Sequence, residues 1–464
     1  MKRCTKIWFS VYANDNDAFI PEMWAQESLM ILEANMVAAA LVHRDFENEI
    51  ANFGDVVNTR RPAAFTSTRK VDGDAIVNQD AQATNVPVKL DQHWYTSFMI
   101  YDGEASKSFK DLVATYLVPA VSAIAQGIDQ QVVTQCYRFI PAGGVVGKLG
   151  TAIGKSTIID AREVLNTNKV PLGDRRFIIG SSMEGDLLSV GEFTKVNEAG
   201  DAGSALREGN IGRKFGFDFF MDQNAPSVAA GSTTVSGAVN LSAGYAAGST
   251  AIAVDGLSAA ITAGSWCTIA GDMTPQKITG STGGATPTAI AISPGLKSAV
   301  ADNAVVTIYT PGAVNLSAGY AAGYSKPLTV NGFTVAPKSG QLVSIAGAAV
   351  DANYIHAALN TPTTTSLLLD RSLYATTAHT TALGLGPAGD YGFAFHKNAI
   401  SLVTRPLAAP ARGTGAMSYV ANYNGLAVRV TISYNSTYQG HQVTVDILGG
   451  IALLDANMGV LVCG

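Results

Sequence analysis

Apolar residues recur at helical spacing in two stretches of the first third of the chain. The first stripe begins just after Pro21 and comprises Met23, Trp24, Leu29, Ile31, Leu32, Met36 and Val37. The second begins after Ser108 and comprises Phe109, Leu112, Val113, Tyr116, Leu117, Ala120, Val121, Ile124 and Ile128. It predicts a helix of about 30 residues, or about 45 Å. Pro119 should kink this helix, because proline removes one backbone donor and crowds the preceding turn.

Between the two helices the hydrophobic pattern changes to a period of two. Val86, Val88 and Leu90 alternate with Pro87 and Lys89, which is typical of a strand. With the extended run before it, this strand predicts a long hairpin that projects from the body. The charged residues of the hairpin are Arg60, Arg61, Arg69, Lys70, Asp72 and Asp74. They either contact an adjacent subunit or form a solvated loop tip, and the sequence favours neither.

The following segments mix helices and strands. Ser156 is predicted to cap a helix, which is followed by a short buried strand at Arg176–Ile179 and a second short helix. Further strands are predicted around Phe215, Phe217 and Phe219, and at Ala399–Thr404, Leu426–Tyr434 and Gln442–Leu448. A last apolar run reaches the C-terminus.

The twelve residues GAVNLSAGYAAG occur twice, at Gly237–Gly248 and 75 residues later at Gly312–Gly323. The likeness continues, since Val254-Asp255-Gly256 matches Val330-Asn331-Gly332. Around both copies, short β-branched runs are separated by glycine turns and charges are scarce. The pattern predicts a tandem duplication of a small β-barrel or sandwich of about 75 residues. Because each unit should fold alone, deleting Gly312–Gly389 is expected to leave the rest folded.

Composition adds one feature, a scarcity of charge. Of the 464 residues only 14% are charged and 47% are hydrophobic, against about a quarter charged in a typical soluble domain. Either the chain hides surface against copies of itself, or it is a β-rich protein full of small residues. The net charge of −5 argues against a dedicated nucleic-acid or anionic-membrane binder. The apolar run Ile7–Ala13 is short for a signal peptide, so a cytoplasmic product is expected.

No motif indicates catalysis or a cofactor. In "GTAIGKST", Gly150 and Gly154 are separated by three residues where a phosphate-binding loop needs four, so a helix start is favoured. The six histidines are scattered, and "KVDGDAIVNQDAQ" lacks the glycine and glutamate of a calcium loop. The cysteines are far apart and are interpreted as free thiols; they are Cys4, Cys136, Cys267 and Cys463. We therefore expect no enzyme, no cofactor and no metal site.

In the order of its elements the sequence resembles the major capsid (coat) proteins of tailed bacteriophages, which have the HK97 fold. The closest branch is that of short-tailed phages, whose coat proteins carry an inserted β-barrel domain. The resemblance rests on "FIPEMWAQESL", "VPVKLDQHWYTSFMI", the long helix after Ser108, "ALREGNIGRKFGFDFFMDQN" and "AFHKNAISLVTRPL". It runs from about Phe19 to Gly464. The family has one inserted barrel, whereas this sequence predicts two, and "MKRCTKIWFSVY" lies outside the family pattern.

The resemblance implies an α+β chain with the parts of an HK97-like fold in order. These parts are an N-terminal arm and helix (1–53), an E-loop hairpin (54–100), a peripheral-domain spine helix (101–149), a first part of the axial domain (150–226), two inserted β-domains (227–311 and 312–389), and a return through the axial domain with strands that close the peripheral domain (390–464). The spine helix would use Phe109, Leu112, Tyr116, Pro119 and Ile124. The charged residues of the E-loop would contact a neighbouring subunit.

The implied function is a shell of pentamers and hexamers around packaged double-stranded DNA. The protein would be located in the virion capsid, after assembly in the host cytoplasm. Its partners would be other copies of itself together with scaffolding and portal proteins, and the DNA would be enclosed without sequence-specific binding. The alternative is a tandem β-domain surface or tail adhesin, which explains the repeats but not the long helix or the hairpin.

Overall fold

The computed structural model describes most of the chain. The described residues are 21–44, 56–61, 67, 69–70, 72, 84–101, 116–195, 209, 211–228, 234–309, 314–331, 333, 336–346, 355–359, 363–405, 407–411, 415–423 and 426–464. Asp74, Phe109 and Leu112, which the sequence singled out, lie outside them, and so do Cys4, Ser108, Val113 and Gly332.

Helices and mainly antiparallel strands share the chain. The α-helices are α1 (Pro21–Asn35), α2 (Ala38–Leu41), α3 (Val118–Val133), α4 (Lys155–Thr167), α5 (Ser181–Ser189) and α6 (Gly191–Thr194). The 3₁₀ helices are Thr134–Ala142, Lys397–Ala399 and Ala456–Met458. The strands are β1 (Val56–Arg61), β2 (Thr84–Lys89), β3 (Gln92–Tyr101), β4 (Val145–Gly147), β5 (Arg175–Ile179), β6 (Arg213–Lys214), β7 (Phe217–Met221), β8 (Ser227–Val228), β9 (Thr234–Val239), β10 (Ala251–Asp255), β11 (Trp266–Ile269), β12 (Gln276–Thr282), β13 (Ala289–Ser293), β14 (Val305–Tyr309), β15 (Asn315–Leu316), β16 (Leu328–Asn331), β17 (Leu342–Ile345), β18 (His356–Leu359), β19 (Ser366–Leu369), β20 (Leu383–Leu385), β21 (Gly389–His396), β22 (Ile400–Arg405), β23 (Met417–Tyr423), β24 (Leu426–Asn435), β25 (Gly440–Leu453) and β26 (Gly459–Cys463). This is the α+β class that the sequence predicted. Among the described helices, none combines the length and the apolarity that a membrane crossing requires.

The contacts divide the chain into two compact units, and the first is built from the described residues of 1–35, 93–125 and 404–448. In it, β23, β24 and the first part of β25 form antiparallel pairs, and β3 also pairs with β25. Helix α1 packs on β23 and β24. Trp24 on α1 is buried and stacks on Phe98, which in turn stacks on Tyr116. Trp24, Leu29 and Leu32 of the apolar stripe after Pro21 are therefore buried in this unit.

The second unit is built from the described residues of 36–92, 126–403 and 449–464. Its central sheet has the order β4-β26-β21-β5-β7-β6, with β8 beside β21. Two pairs are parallel, β26 with β4 and β5 with β7. Helices α4 and α5 cover this sheet, and the shared core includes Ile158, Phe177, Met183 and Phe217. The same unit contains the β1–β2 hairpin, a closed six-stranded barrel and a second six-stranded sheet.

The long helix differs from the sequence prediction at both described ends. A π-helical turn at Tyr116–Leu117 precedes α3, so Pro119 is the second residue of the α-helix and its missing donor is not needed there. The α-helix ends at Val133, and the chain continues as a 3₁₀ helix to Ala142. This change follows the β-branched pair Val132-Val133. It is accompanied by a hydrogen bond that the Gln135 side-chain amide donates to the Gln131 carbonyl.

One smaller prediction is wrong. Ser156 does not cap α4, because the N-cap is Gly154 and Ser156 is the second helical residue. The last apolar run forms β26, which lies between β4 and β21 in the central sheet. A short 3₁₀ turn capped by Asp455 precedes it, and Val460 and Val462 then enter the core of the second unit.

Candidate functional surfaces

The β1–β2 hairpin is fixed at its base. Its register runs from Val56 opposite Lys89 to Arg61 opposite Thr84. Val88 and Leu90 are buried at the base, where they pack with Val403. The alternating pattern that predicted strand β2 thus marks the residues that hold the hairpin in the second unit.

The charged residues predicted for the hairpin fall into three groups. Arg60 and Arg61 lie on β1, opposite Asn85 and Thr84. Arg69, Lys70 and Asp72 are exposed, whereas Asp74 lies outside the described residues. Their contact with a neighbouring subunit remains a prediction.

Gly450 on β25 allows the chain after β2 to approach closely. A methyl group at this position would collide with the carbonyl oxygen of Lys89 and would lie 3.3 Å from the Cα of Leu90. The hairpin base therefore depends on a residue without a side chain.

The segment 36–44 is anchored in the second unit by polar contacts that the sequence did not reveal. The backbone amides of Val37 and Ala39 donate to the Asp129 carboxylate, at 2.8 Å and 2.9 Å. The backbone amide of His43 donates to the Ile400 carbonyl at 3.0 Å, and the Arg176 guanidinium donates to the Leu41 carbonyl.

Burial dominates the electrostatics of this anchor. Desolvation raises the pKa of Asp129 to about 7 against the opposing backbone hydrogen bonds, and Asp222 adds to the rise. Desolvation also raises the pKa of Asp222. Two carboxylates with raised pKa values therefore flank the amides of residues 37–39, and no periodicity in the sequence could have paired residues 90 positions apart.

The predicted spine-helix residues have different environments. Tyr116 is half-buried and stacks on Phe98 with 5.8 Å between ring centroids. Pro119 is exposed, and Ile124 is buried. Phe109 and Leu112 lie outside the described residues.

The barrel and the second six-stranded sheet share one strand order. We call residues 234–309 the first module and residues 314–385 the second module. The first closes in the order β10-β13-β12-β11-β14-β9, and the second runs β15-β16-β19-β18-β17-β20. Strands β9 to β14 of the first module correspond in sequence order to β15 to β20 of the second. Because the barrel is closed, its order can be read from β9 as β9-β10-β13-β12-β11-β14, which is the order of the second module. A bridge between Asn315 and Ala382 joins the ends of the second module where β9 and β14 pair in the first.

The repeated twelve residues have the same role in both modules. The hydroxyl of Tyr245 accepts from the Ala253 amide at 2.7 Å, and that of Tyr320 accepts from the Thr329 amide at 2.7 Å. The glycine that ends each copy, Gly248 or Gly323, has a positive φ of 88° or 83°. Its amide donates to the carbonyl of Leu296 or Leu373. Both copies thus use the tyrosine and the glycine in the same way. The tyrosine hydroxyl links its loop to the second strand of the module, and the glycine permits the left-handed turn.

The first module contacts the rest of the second unit through two reciprocal lysines. Lys148 donates to the Gly271 carbonyl at 2.8 Å, and Lys297 of the module donates to the Gly143 carbonyl at 3.1 Å. Beside them lies a polar cavity of about 690 Å³, lined in part by Thr151 and Ser156 of the "GTAIGKST" segment. The lysine of that segment, Lys155, faces Glu192 at 3.5 Å rather than the cavity interior.

The second module contacts a different part of the unit, the helical segment 131–138. The Tyr137 hydroxyl donates to the Gly340 carbonyl at 2.7 Å, and Gln131 donates to the Asp370 carbonyl at 3.0 Å. The Asp370 carboxylate lies 3.5 Å from Arg138 and 3.9 Å from His356. Burial lowers the pKa of His356 to about 4, so this imidazole is neutral near pH 7. The sequence signals neither this cluster nor the Arg138–Asp370 pair, because its members belong to distant segments.

In the first unit, one face of the sheet carries polar residues. Arg429 donates to both oxygens of Asp446, and His93 lies 3.4 Å from the same carboxylate. Next to them the hydroxyls of Ser97 and Thr444 are 3.0 Å apart. Within the described part of the chain, no group of three or more His, Cys, Asp or Glu residues could hold a metal ion.

No protein-family model and no curated protein matches the sequence. The fold comparison finds a structure from Mycobacterium phage Che8, with 13% identity over 92% of this chain and 90% of that chain and a TM-score of 0.44. The capsid of cyanophage P-SCSP1u gives 11% identity over 91% of this chain and 86% of that chain, with a TM-score of 0.40. The mature capsid of bacteriophage PhiM1 gives 10% identity over 88% of this chain and 82% of that chain, with a TM-score of 0.38. The similar structures are thus those of phages, as the resemblance in the sequence predicted. Since all three TM-scores are below 0.5, function has to be inferred from the geometry of the chain itself.

Proposed function

We propose that this chain is a non-enzymatic structural subunit of a tailed-phage capsid that assembles with copies of itself into the pentamers and hexamers of an icosahedral shell. The observation that carries the proposal is the β1–β2 hairpin. Its base is packed into the second unit through Val88 and Leu90, while Arg69, Lys70 and Asp72 beyond the strands are exposed. A hairpin that is packed at its base and carries exposed charged residues beyond its strands is suited to contact another subunit.

Exposed apolar side chains support the same proposal. Met30, Tyr95, Leu172 and Tyr438 are between 61% and 69% exposed in the isolated chain. Large exposed side chains of this kind become buried in assemblies, where many modest contacts add up. The acidic net charge of −5 suits a container that encloses double-stranded DNA without holding it tightly, because few phosphates would be neutralised. Scaffolding and portal proteins would be the partners during assembly in the host cytoplasm.

Electron microscopy tests the proposal directly. The purified protein, with its scaffolding partner, is expected to form closed particles in negative stain. The variant Arg69→Glu/Lys70→Glu reverses the charge of the exposed hairpin residues and is expected to reduce particle yield at unchanged thermal stability. Lys326→Glu changes an exposed lysine of the second module and serves as the matched control. A protein that stays monomeric under all assembly conditions would contradict the proposal.

The second candidate is a tandem β-domain adhesin, favoured by the two modules of equal strand order. It predicts that the modules bind cell-surface glycans and that no particles form. Glycan-array binding without particles would favour the adhesin, whereas particles without glycan binding would favour the shell subunit.

A further inference from the structure

A second cavity, of about 410 Å³, lies in the second unit beside the base of the hairpin. Val86 and Pro87 of β2, Leu453 and Ala456 form apolar walls, and Arg138 and Arg371 also line the cavity. The 3₁₀ helix Thr134–Ala142 positions Arg138, and the segment after β19 positions Arg371. The cavity thus combines two fixed cations with hydrophobic walls.

The two guanidinium groups share one carboxylate oxygen. Asp370 Oδ2 lies 3.5 Å from Arg138 Nη2 and 3.9 Å from Arg371 Nε. The other oxygen, Oδ1, already accepts from the Ala357 amide at 3.0 Å. Asp91 adds a second negative charge near Arg138, and the neighbouring His356 is neutral. Both distances to Oδ2 exceed those of a charge-assisted hydrogen bond.

Arg138 also retains an unused donor. Its Nε is buried and has no hydrogen-bond partner within the described residues. An unsatisfied buried donor is costly, and more so on a charged group. Burial and the repulsion from Arg371 lower the pKa of Arg138 to about 9, which indicates that a further negative charge would be stabilised here.

We propose that this cavity is a binding site for a carboxylate group carried on a short alkyl chain. The planar guanidinium group offers paired donors that match the two oxygens of a carboxylate, and the apolar walls suit the adjoining methylenes. The carboxylate is either a free small carboxylic acid or an acidic side chain of a second copy. Its binding stabilises the contact between the hairpin base, the 3₁₀ helix and the second module, because all three line the cavity.

Saturation-transfer NMR with sodium propionate on the dispersed protein tests the site, with sodium chloride holding the ionic strength constant. Wild-type protein is expected to give a saturable propionate signal. Arg371→Gln removes one cation and should weaken binding at least about tenfold. Ala456→Phe fills the cavity without changing its charge and should abolish binding. Arg213→Gln is the matched control, since Arg213 also faces an aspartate at 3.7 Å but is exposed.

Assembled particles distinguish the two sources of the carboxylate. A propionate signal that persists in particles identifies a free ligand. A signal lost in particles, together with a lower particle yield for Arg371→Gln, identifies an acidic side chain of a neighbouring copy. The dispersed-protein experiment stands even if no particles form. The proposal fails if wild-type protein gives no saturable signal, or if Ala456→Phe, folded as judged by circular dichroism, binds propionate as wild type does.

Discussion

Buried carboxylates organise much of the polar interior of the second unit. Asp272, which is 1% exposed, accepts from Thr274 and from the backbone amides of Lys297 and Ser298. Asp129 accepts from two backbone amides in the same way. Backbone donors that converge on a carboxylate offset part of the cost of removing it from water. Each such aspartate fixes a loop or a short helix.

The raised pKa of Asp129 makes a prediction about pH. In the folded state this carboxyl group keeps its proton up to about pH 7, whereas the unfolded chain loses it near 3.8. Between these values the folded state binds more protons, so the contribution of Asp129 to the free energy of unfolding falls as the pH rises. Relative to that of Asp129→Asn, the free energy of unfolding of the wild-type protein should fall by up to about 3 kcal/mol between pH 5 and pH 8.

The measurement is the difference between the urea denaturation curves of wild type and Asp129→Asn at several pH values. Taking the difference removes the contributions of His356, His396 and other groups that titrate in both proteins. Asp302→Asn is the matched control, because Asp302 is a half-buried aspartate that also accepts a backbone amide, that of Leu241. A constant difference between wild type and Asp129→Asn from pH 5 to pH 8 would mean that Asp129 is ionised throughout.

Gly450 makes a steric prediction. In Gly450→Ala the new methyl group would overlap the Lys89 carbonyl, so the chain at the hairpin base must shift. We expect a loss of about 2 kcal/mol in the free energy of unfolding, as for other overpacked sites. Gly185→Ala on α5 is the control, because no atom lies within 4 Å of its added carbon. Equal stability of the two variants in urea would show that the backbone at Gly450 yields without cost.

These single-residue features mark the limit of what the sequence could predict. Apolar periodicity correctly identified Val88 and Leu90 as inward-facing, because burial of alternate positions is a local property of a strand. It could not identify Asp129, Arg138 or Asp370, whose partners are brought together only by the fold. Polar pairing across 90 or more residues leaves no local pattern.

Among the elements, the two modules show most clearly how a sequence repeat becomes a structural one. The last residues of matched strands are 76 or 77 residues apart, close to the 75-residue offset of the repeated sequence, and the strand orders agree. Their attachments differ, since Lys148 and Lys297 hold the first module and Tyr137 and Gln131 contact the second. The repeated residues thus specify the module, whereas residues outside the repeat specify where it is attached.

The paired tyrosines predict comparable effects in the two modules, with Tyr320 making one further contact, to the Thr329 hydroxyl at 2.6 Å. Tyr245→Phe leaves the Ala253 amide without its acceptor, and Tyr320→Phe does the same to the Thr329 amide. Each variant should lower the stability of its module by about 1–2 kcal/mol, the cost of an unpaired amide. Tyr438→Phe, at a tyrosine that is 61% exposed, is the control and should be neutral. Thermal denaturation of the three variants checks this, and a neutral Tyr245→Phe would show that water replaces the hydroxyl.

The helical elements show where a pattern fails to fix an element's geometry. The apolar spacing up to Ile128 predicts a single α-helix of about 30 residues after Ser108, which would continue past Val133. The structure tightens to a 3₁₀ helix instead, which changes which residues face the second module. Tyr137 and Arg138 meet that module from this 3₁₀ segment. Hydrophobic spacing indicates which face of a helix is buried, but it does not indicate the hydrogen-bonding pattern of the backbone.

At the scale of the whole molecule, each compact unit is assembled from three separate stretches of chain. The order of elements along the chain supported the resemblance to capsid proteins, but order alone did not assign the last apolar run to a sheet. This run forms β26, which lies between β4 and β21. Many contacts between distant stretches also predict slow folding.

The attachment of the second module changes the expectation for its removal. From the sequence, deletion of Gly312–Gly389 should leave the rest folded. The structure adds that Tyr137, 1% exposed, donates to Gly340, and that the Tyr391 hydroxyl donates to Pro387. A deletion should therefore stop before Pro387. Removal of residues 312–386 should leave a folded protein that is less stable by about 3 kcal/mol or more, because Tyr137 loses its cover and hydrogen bonds are lost.

A double-mutant cycle separates this effect from general damage. Tyr137→Phe should cost about 1 kcal/mol in the full chain, where the hydroxyl donates to Gly340, and nothing in the shortened chain, where that acceptor is gone. Urea denaturation of the four proteins provides the measurement. An equal cost in both backgrounds would mean that the hydroxyl stabilises the helical segment itself. In that case the cost of the deletion would come from the lost burial of Tyr137 and from the lost hydrogen bond between Gln131 and the Asp370 carbonyl.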